Sequence, residues 1–238
     1  MSLVPSLTEL VWWFGLGDAL VGRTRFCVEP AGLIERVPII GGTKNPKVAR
    51  IIELRPDFVI ANKEENRRED VEALRGAGLE VVVTDPNSVA EALAMVAELG
   101  GLLGVESKAR ELVSEVEKAV SEPGPARRTR VFVAVWKEPL LGLGSESYGN
   151  DLLRVAGAGN VLASRPRYPE LTREELMALR PELILLPDEP YPFKASDADE
   201  FVAIALARVI DGKLLWWYGP RMANGIRALR EIFSTAEA

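Results

Sequence analysis

The sequence states one phrase twice, on either side of a single amphipathic rod. Leu54 to Glu64 reads LRPDFVIANKE and Leu179 to Glu189 reads LRPELILLPDE, each preceded by a helical pattern and set 125 residues apart. A second pair, GLGDALVGR from Gly15 and GAGNVLASR from Gly157, supports the first. Between the copies, Val105 to Glu122 places Val105, Ala109, Leu112, Val113, Val116, Ala119 and Val120 at helical spacing opposite a charged face. Such a helix is a rod of roughly 27 Å. The expected organisation is an N-terminal α/β lobe over residues 1–103, a connecting backbone helix over 104–124 and a C-terminal α/β lobe over 125–238. Matched lobes on one connector are expected to hold something between them.

The 238 residues are 47% hydrophobic and 27% charged, enough to bury a sizeable core. A net charge of −6 and a pI near 5.1 argue against nucleic acid as a partner. Histidine is absent, which removes imidazole-based acid–base catalysis, the usual catalytic triad and imidazole zinc sites. No nucleophile–base pair or metal cluster stands out, so no catalytic or metal residues are assigned. The single cysteine, Cys27, has no partner for an internal disulfide. No apolar run is long enough to span a membrane. The N-terminus shows no basic region, apolar run and cleavage site in series. As written the chain is expected in the cytoplasm, or outside the membrane if an upstream segment is missing, since the opening SLV reads as the end of a strand.

Taken in order, Ser6 followed by Glu9 reads as a capping box for a helix through Val11 and Phe14, closed by Gly15 and Gly17. Ala19 to Gly22 is expected as a strand, and Arg25 to Pro30 and Gly41 to Pro46 as loops. Asp57 to Ala61 is an apolar run of the kind buried in parallel sheets. A helix to about Arg75, a strand over Leu79 to Thr84 and a helix capped by Ser88 and Glu91 follow. Pro123-Gly124-Pro125 is the clearest break. Beyond it, Val131 to Val135 is a strand ending at Trp136, and a helix starting within Ser145 to Tyr148 runs to Gly157. Thr172 with Glu175 caps the repeated helix, Leu214 to Trp217 is expected as the last strand, and Gly219 to Ser234 as the terminal helix. Alternating strands and helices point to parallel sheets in an α/β fold.

Ligands of open α/β sheets bind beyond the carboxyl ends of the strands. There the second half supplies Trp136, Tyr148, Arg167, Tyr168, Tyr191, Trp216, Trp217, Tyr218 and Arg221, and the first half Arg25, Phe26, Lys44 and Lys63. So many aromatics with cations nearby fit a flat, partly apolar ligand with a polar rim.

The stretches SLVPSLTELVWWFGLGDALVGRT, GGTKNPKVARIIELRPDFVIANKEEN, EPYPF and WYGPRM resemble the helical-backbone periplasmic binding proteins over essentially the whole chain. Within that group they are most similar to the vitamin B12-binding proteins of ABC importers and their signal-less relatives. The resemblance implies two lobes bridged by one helix, no required cofactor, an ABC permease as possible partner, and a corrinoid (cobalamin-like) ligand. A ferric siderophore or haem is the alternative ligand, and a cytosolic cofactor-handling enzyme the alternative class. The ligand would meet Ser6, Thr8, Phe26, Thr43 and Lys63 from the first lobe. From the second it would meet Trp136, Tyr148, Tyr168, Tyr191, Trp217, Tyr218 and Arg221. Glu64 and Glu189 resemble the paired glutamates with which such proteins dock on permease arginines. Where some relatives carry Cys-x-His-Pro, this chain has Cys27-Val28-Glu29-Pro30, so Cys27 reads as a small buried residue rather than a ligand.

Overall fold

A computed structural model describes residues 1–235 and divides the chain into two compact units. The first comprises Met1–Asp85, Met95–Leu112 and Tyr218–Pro220. Helix α1 (Pro5–Trp13) begins at proline, whose fixed φ suits the first helical position, after an extended Val4. Ser6 is therefore already inside the helix, and the capping box expected from Ser6 and Glu9 does not form. The helix closes at Gly15, which is left-handed (φ 82°). The strand expected over Ala19 to Gly22 is absent; Gly17–Ala19 instead makes a 3-10 turn. Trp12 packs so closely on this turn that a Cβ at Gly17 would lie 2.1 Å from its ring.

Helix α2 (Val48–Leu54) leads into β1 (Phe58–Asn62), and α3 (Arg68–Gly76) returns the chain to β2 (Glu80–Thr84), parallel to β1. The chain start lies along β1, with Leu3 N–H donating to Ile60 (2.9 Å) and Ile60 N–H to Met1 (3.0 Å). Single parallel bridges then carry the sheet from Ser2 to Arg23 and on to Ile39. Leu3, Ile40, Ile51, Val59, Ala61, Val71, Leu74 and Val81 form the core. Full burial of such aliphatics is worth roughly 1.5–3 kcal/mol each. Arg23 is buried in the same unit; its guanidinium is satisfied by the carbonyls of Thr24, Cys27, Ile34 and Val37 rather than by an acid.

Helices α4 (Val89–Leu102) and α5 (Glu106–Ser121) each contribute to both units. Ser88 Oγ accepts from Glu91 N–H (3.1 Å) and the Glu91 carboxylate from Asn87 N–H (2.7 Å), the start expected from the sequence. On α5 the buried stripe is Ala109, Leu112, Val116 and Ala119, narrower than the apolar pattern, with Val120 exposed.

The second unit comprises Pro86–Ala94, Val113–Trp217 and the chain from Arg221 onward. Its central strand, β3 (Arg130–Trp136), pairs antiparallel with β4 (Leu141–Gly142). Helix α6 (Tyr148–Ala156) precedes β5 (Gly159–Asn160), which is parallel to β3. Thr172 and Glu175 complete a capping box on α7 (Arg173–Ala178). Strand β6 (Leu183–Pro187) lies parallel to β3, and after α8 (Ala195–Ala198) β7 (Leu206–Ile210) lies parallel to β6. The last strand is thus β7. Of Leu214 to Trp217, expected as a strand, the first three fall in helix α9 (Lys213–Trp216) and Trp217 is its extended C-cap; before the helix the Asp211 carboxylate accepts from Lys213 N–H (2.9 Å). Phe132, Ala134, Leu162, Leu176, Ile184, Leu186, Phe193 and Phe201 fill one side of the sheet.

Helix α10 (Met222–Thr235) fastens the end of α5 within this unit. Buried Arg230 donates to the carbonyls of Ala119 (2.5 Å) and Val120 (3.0 Å), the positions where a helix leaves acceptors unsatisfied. Arg227 grips Glu122 through Nε and Nη2, at 2.7 to 3.1 Å. No helix among the described residues is long and apolar enough to cross a membrane.

The repeat is real in the backbone. Strands β1 and β6 have equal length at the 125-residue offset, and Arg55 (φ 45°) and Arg180 (φ 49°), at that same offset, are both left-handed. Helices α1 and α6 are each nine residues, and the bridges Ser2–Arg23 and Ser145–Pro166 occupy matching places beside them.

Candidate functional site

In the second unit, rings climb from the core to the surface beyond β3 and β6. Phe193 is buried, Tyr191 lies against it (centroids 4.6 Å), and Trp136 meets Tyr191 edge-on at 5.2 Å and 74°. Trp136, ending β3, is 41% exposed. Tyr168 is also exposed; the preceding Arg167 is left-handed (φ 58°) and donates to Asn87 Oδ1 (3.0 Å) and the Glu146 carbonyl (2.6 Å).

Trp217 behaves differently. It is only 6% exposed, and its indole N–H donates to the Glu189 carboxylate at 2.7 Å. Lys213 Nζ and the Arg221 guanidinium lie 5.4 and 5.3 Å from its ring centroid. The Trp216 indole donates to the Glu189 carbonyl, also at 2.7 Å. Burial pushes the Glu189 carboxyl above its ordinary range, a tendency opposed by the Trp217 bond and reinforced by Asp188. Glu189 is therefore a half-buried hydrogen-bond acceptor, not the exposed acid that docking requires. Tyr148, assigned to the ligand surface from the sequence, is buried at the start of α6; burial pushes its phenol upward. It belongs to the core.

In the first unit the loop after β1 is built on two amides. Asn62 Oδ1 accepts from the N–H groups of Glu64 (2.9 Å) and Glu65 (3.2 Å), while its Nδ2 donates to the Thr84 carbonyl (3.0 Å). Asn66 Oδ1 accepts from Asn62 N–H (2.8 Å), and its Nδ2 donates to the carbonyls of Thr43 (3.0 Å) and Leu3 (3.4 Å). Tyr218 is buried here, its phenol hydrogen-bonded to Ser6 and Thr84; burial pushes it upward, with Glu65 and Glu64 adding to the effect. Burial also raises Glu65, against the attraction of Lys44, which donates to the Glu64 carbonyl.

Glu64 is exposed. Lys63 is exposed but ion-paired with Asp85 at 2.5 Å. Phe26 is 49% exposed under the Arg25 guanidinium, 4.9 Å from its centroid. Thr8 is wholly buried: its hydroxyl donates to the Val4 carbonyl (2.8 Å) and meets Cys27 Sγ at 3.1 Å, so it offers nothing to a ligand. Cys27 is buried, as its small size suggested, and its thiol is pushed up by that burial.

The structure thus joins Trp136 to Tyr191, Trp217 to Arg221, and Ser6 to Tyr218, and of the residues expected on the ligand surface it buries Ser6, Thr8, Thr43, Tyr148, Trp217 and Tyr218. Sequence reasoning missed the Asn62–Asn66 cage; its only trace is two asparagines four apart just past a buried strand. Among the described residues, no group of three or more His, Cys, Asp or Glu is placed to hold a metal ion.

The profile of the periplasmic binding protein family matches residues 2–204. The chain belongs to that family. It is similar to an uncharacterised ABC transporter substrate-binding lipoprotein, YvrC, of Bacillus subtilis, 28% identical over 97% of this chain and 78% of that protein. It is also similar to a vitamin B12-binding protein of Photorhabdus laumondii, 24% identical over 78% of this chain and 69% of its relative. A solved periplasmic heme-binding protein of Pseudomonas aeruginosa superposes with a TM-score of 0.83 at 24% identity, covering 98% of this chain and 91% of that one. The last likeness establishes the α/β fold of two related halves.

Proposed function

We propose that this chain is the non-enzymatic substrate-binding component of an ABC-type importer, and that its ligand is a corrinoid of the cobalamin type. The observation that carries the ligand class is the ascending row Phe193, Tyr191 and Trp136, which ends in an exposed indole at a strand's carboxyl end. A large, flat, partly apolar ring stacks on such a surface, and Tyr168 and Arg221 suit its amide-bearing rim. The B12-binding relative supports the same class. Capture for uptake would place the chain outside the cytoplasmic membrane, with exposed Glu64 meeting permease arginines.

Haem is the second reading, favoured by the heme-binding fold neighbour and by the partly exposed Tyr168, whose phenol is a kind of group able to ligate ferric iron. Absorbance titration with cyanocobalamin and, separately, hemin tests both. The expected result is a saturable cobalamin shift that Trp136→Ala weakens about tenfold, the worth of one good ring contact. A saturable hemin shift lost in Tyr168→Phe, with no response to cobalamin, would replace the corrinoid by haem.

A further inference from the structure

The second unit has another unusual surface, at the end of its sheet where the strands begin. Arg127, Arg128 and Arg130 enter β3 there, and left-handed Arg180 precedes β6; all four side chains are exposed. Arg130 donates to the Arg180 carbonyl (3.1 Å) and the Leu179 carbonyl (2.5 Å), while Arg127 pairs with Glu182 at 2.8 Å. Four arginines thus gather at this end, in a chain whose net charge is −6. Two of them, Arg130 and Arg180, line an open groove of about 700 Å³ together with Ala178, Leu179, Pro181 and Glu182.

Large apolar side chains stand beside the arginines. Met177 is 52% exposed, Val202 78% and Leu206 52%. Leu206 is in register with Leu183, next to Glu182. Arg173, one turn before Met177 on α7, lies over the Phe201 ring at 5.0 Å and so brings Val202 to the same helix. Guanidiniums bordered by aliphatic tips match the boundary between lipid headgroups and acyl chains, where both are satisfied at once. A nucleic acid would neutralise the cations and leave the aliphatics wet. Strand β3 runs from Arg130 to Trp136, so this surface is roughly 20 Å from the aromatic row and leaves it uncovered.

We propose that this end of the second unit is a docking surface for an anionic phospholipid bilayer. The patch holds the protein on the membrane by headgroup phosphates in the arginine groove, with Met177, Val202 and Leu206 dipping into the interface. The test is co-sedimentation of the full chain with phosphatidylcholine vesicles, with and without phosphatidylglycerol, over a salt series. Binding is expected only to the phosphatidylglycerol vesicles and should fall as salt rises. Arg128→Gln and Arg180→Gln should each weaken it roughly fivefold, and Val202→Ser should weaken it without changing the salt dependence. Equal binding to neutral vesicles overturns the proposal, as does binding indifferent to both arginine substitutions. Complete competition by inorganic phosphate at matched ionic strength would make the groove a small-anion site instead. A dimer in sedimentation velocity that the same substitutions dissolve would make the patch a contact with a second copy.

Discussion

The segments after β1 and β6 follow matching strands and serve opposite ends. Position for position, Asn62 corresponds to Pro187, Glu64 to Glu189, and Asn66 to Tyr191. In the first unit the matched positions turn inward: Asn62 and Asn66 close a buried amide cage and leave Glu64 in solvent. In the second unit Tyr191 becomes the middle of an aromatic row, and the glutamate is drawn under Trp217. Symmetry therefore resides in the strand, the left-handed arginine before it and the helix before that. Chemistry resides in the handful of side chains past the strand end, where nothing about the sheet dictates which way they face.

The sharpest way to break that contrast is to truncate the corresponding pair. Asn66→Ala should destabilise the protein by about 3 kcal/mol, because it strands the buried Asn62 N–H and removes two further bonds. Tyr191→Ala, losing ring contacts at a half-exposed position, should cost about 1 kcal/mol. Urea unfolding measures both, and equal losses would mean that the two loops are built alike. Next comes the glutamate pair. Glu189→Ala should cost about 2 kcal/mol and change Trp fluorescence, since the Trp217 indole loses its acceptor. Glu64→Ala should stay within about 0.5 kcal/mol.

A pH series sharpens the comparison further. Burial raises both Glu65 and Glu189 above the ordinary 4.5. A carboxyl with a raised native pKa contributes stability that is whole below the unfolded value and lost as pH rises through the native one. Wild-type protein should therefore lose more stability above pH 4.5 than Glu65→Gln/Glu189→Gln does, and the difference between the two curves should level off once both acids are ionised. A difference curve that is flat throughout would show that neither carboxyl is desolvated in solution. The smallest effect tests the backbone symmetry alone. Arg55→Gly and Arg180→Gly should each stabilise by about 0.5 kcal/mol, as relief of left-handed strain slightly exceeds the added unfolded-chain entropy. A response at one arginine only would break the equivalence of the two copies.

The fold was legible where the signal was local. Apolar runs gave β1, β3 and β6, the helical stripe gave α5, and the Thr172 and Ser88 caps marked helix starts correctly. The failures arose where two local rules competed. Pro5 outranked Ser6 as a helix starter, and Leu214 to Trp216 form a helical turn after Asp211 despite their affinity for strands. Strand β7 escaped notice because its exposed edge residues dilute the apolar pattern. The candidate site was legible as a class of residue and not as a surface. Trp136 and Trp217 look alike in sequence, yet one is exposed and the other is fixed by a carboxylate far along the chain. Composition reports that rings are present, while the identity of the group that accepts each N–H or O–H is a tertiary fact.

The order in which the chain is used has a consequence for its synthesis. Tyr218–Pro220 belong to the first unit, and Arg227 and Arg230 secure the end of α5 from the last helix. On a ribosome delivering residues from the N-terminus, the first unit waits for Tyr218–Pro220 until the second unit has been made as far as Trp217, and the middle helix waits longer still for its fastening. Neither half can be matured and set aside while the other is made. A chain stopped before Arg227 would lack Arg227 and Arg230 together, and with them both fastenings of α5.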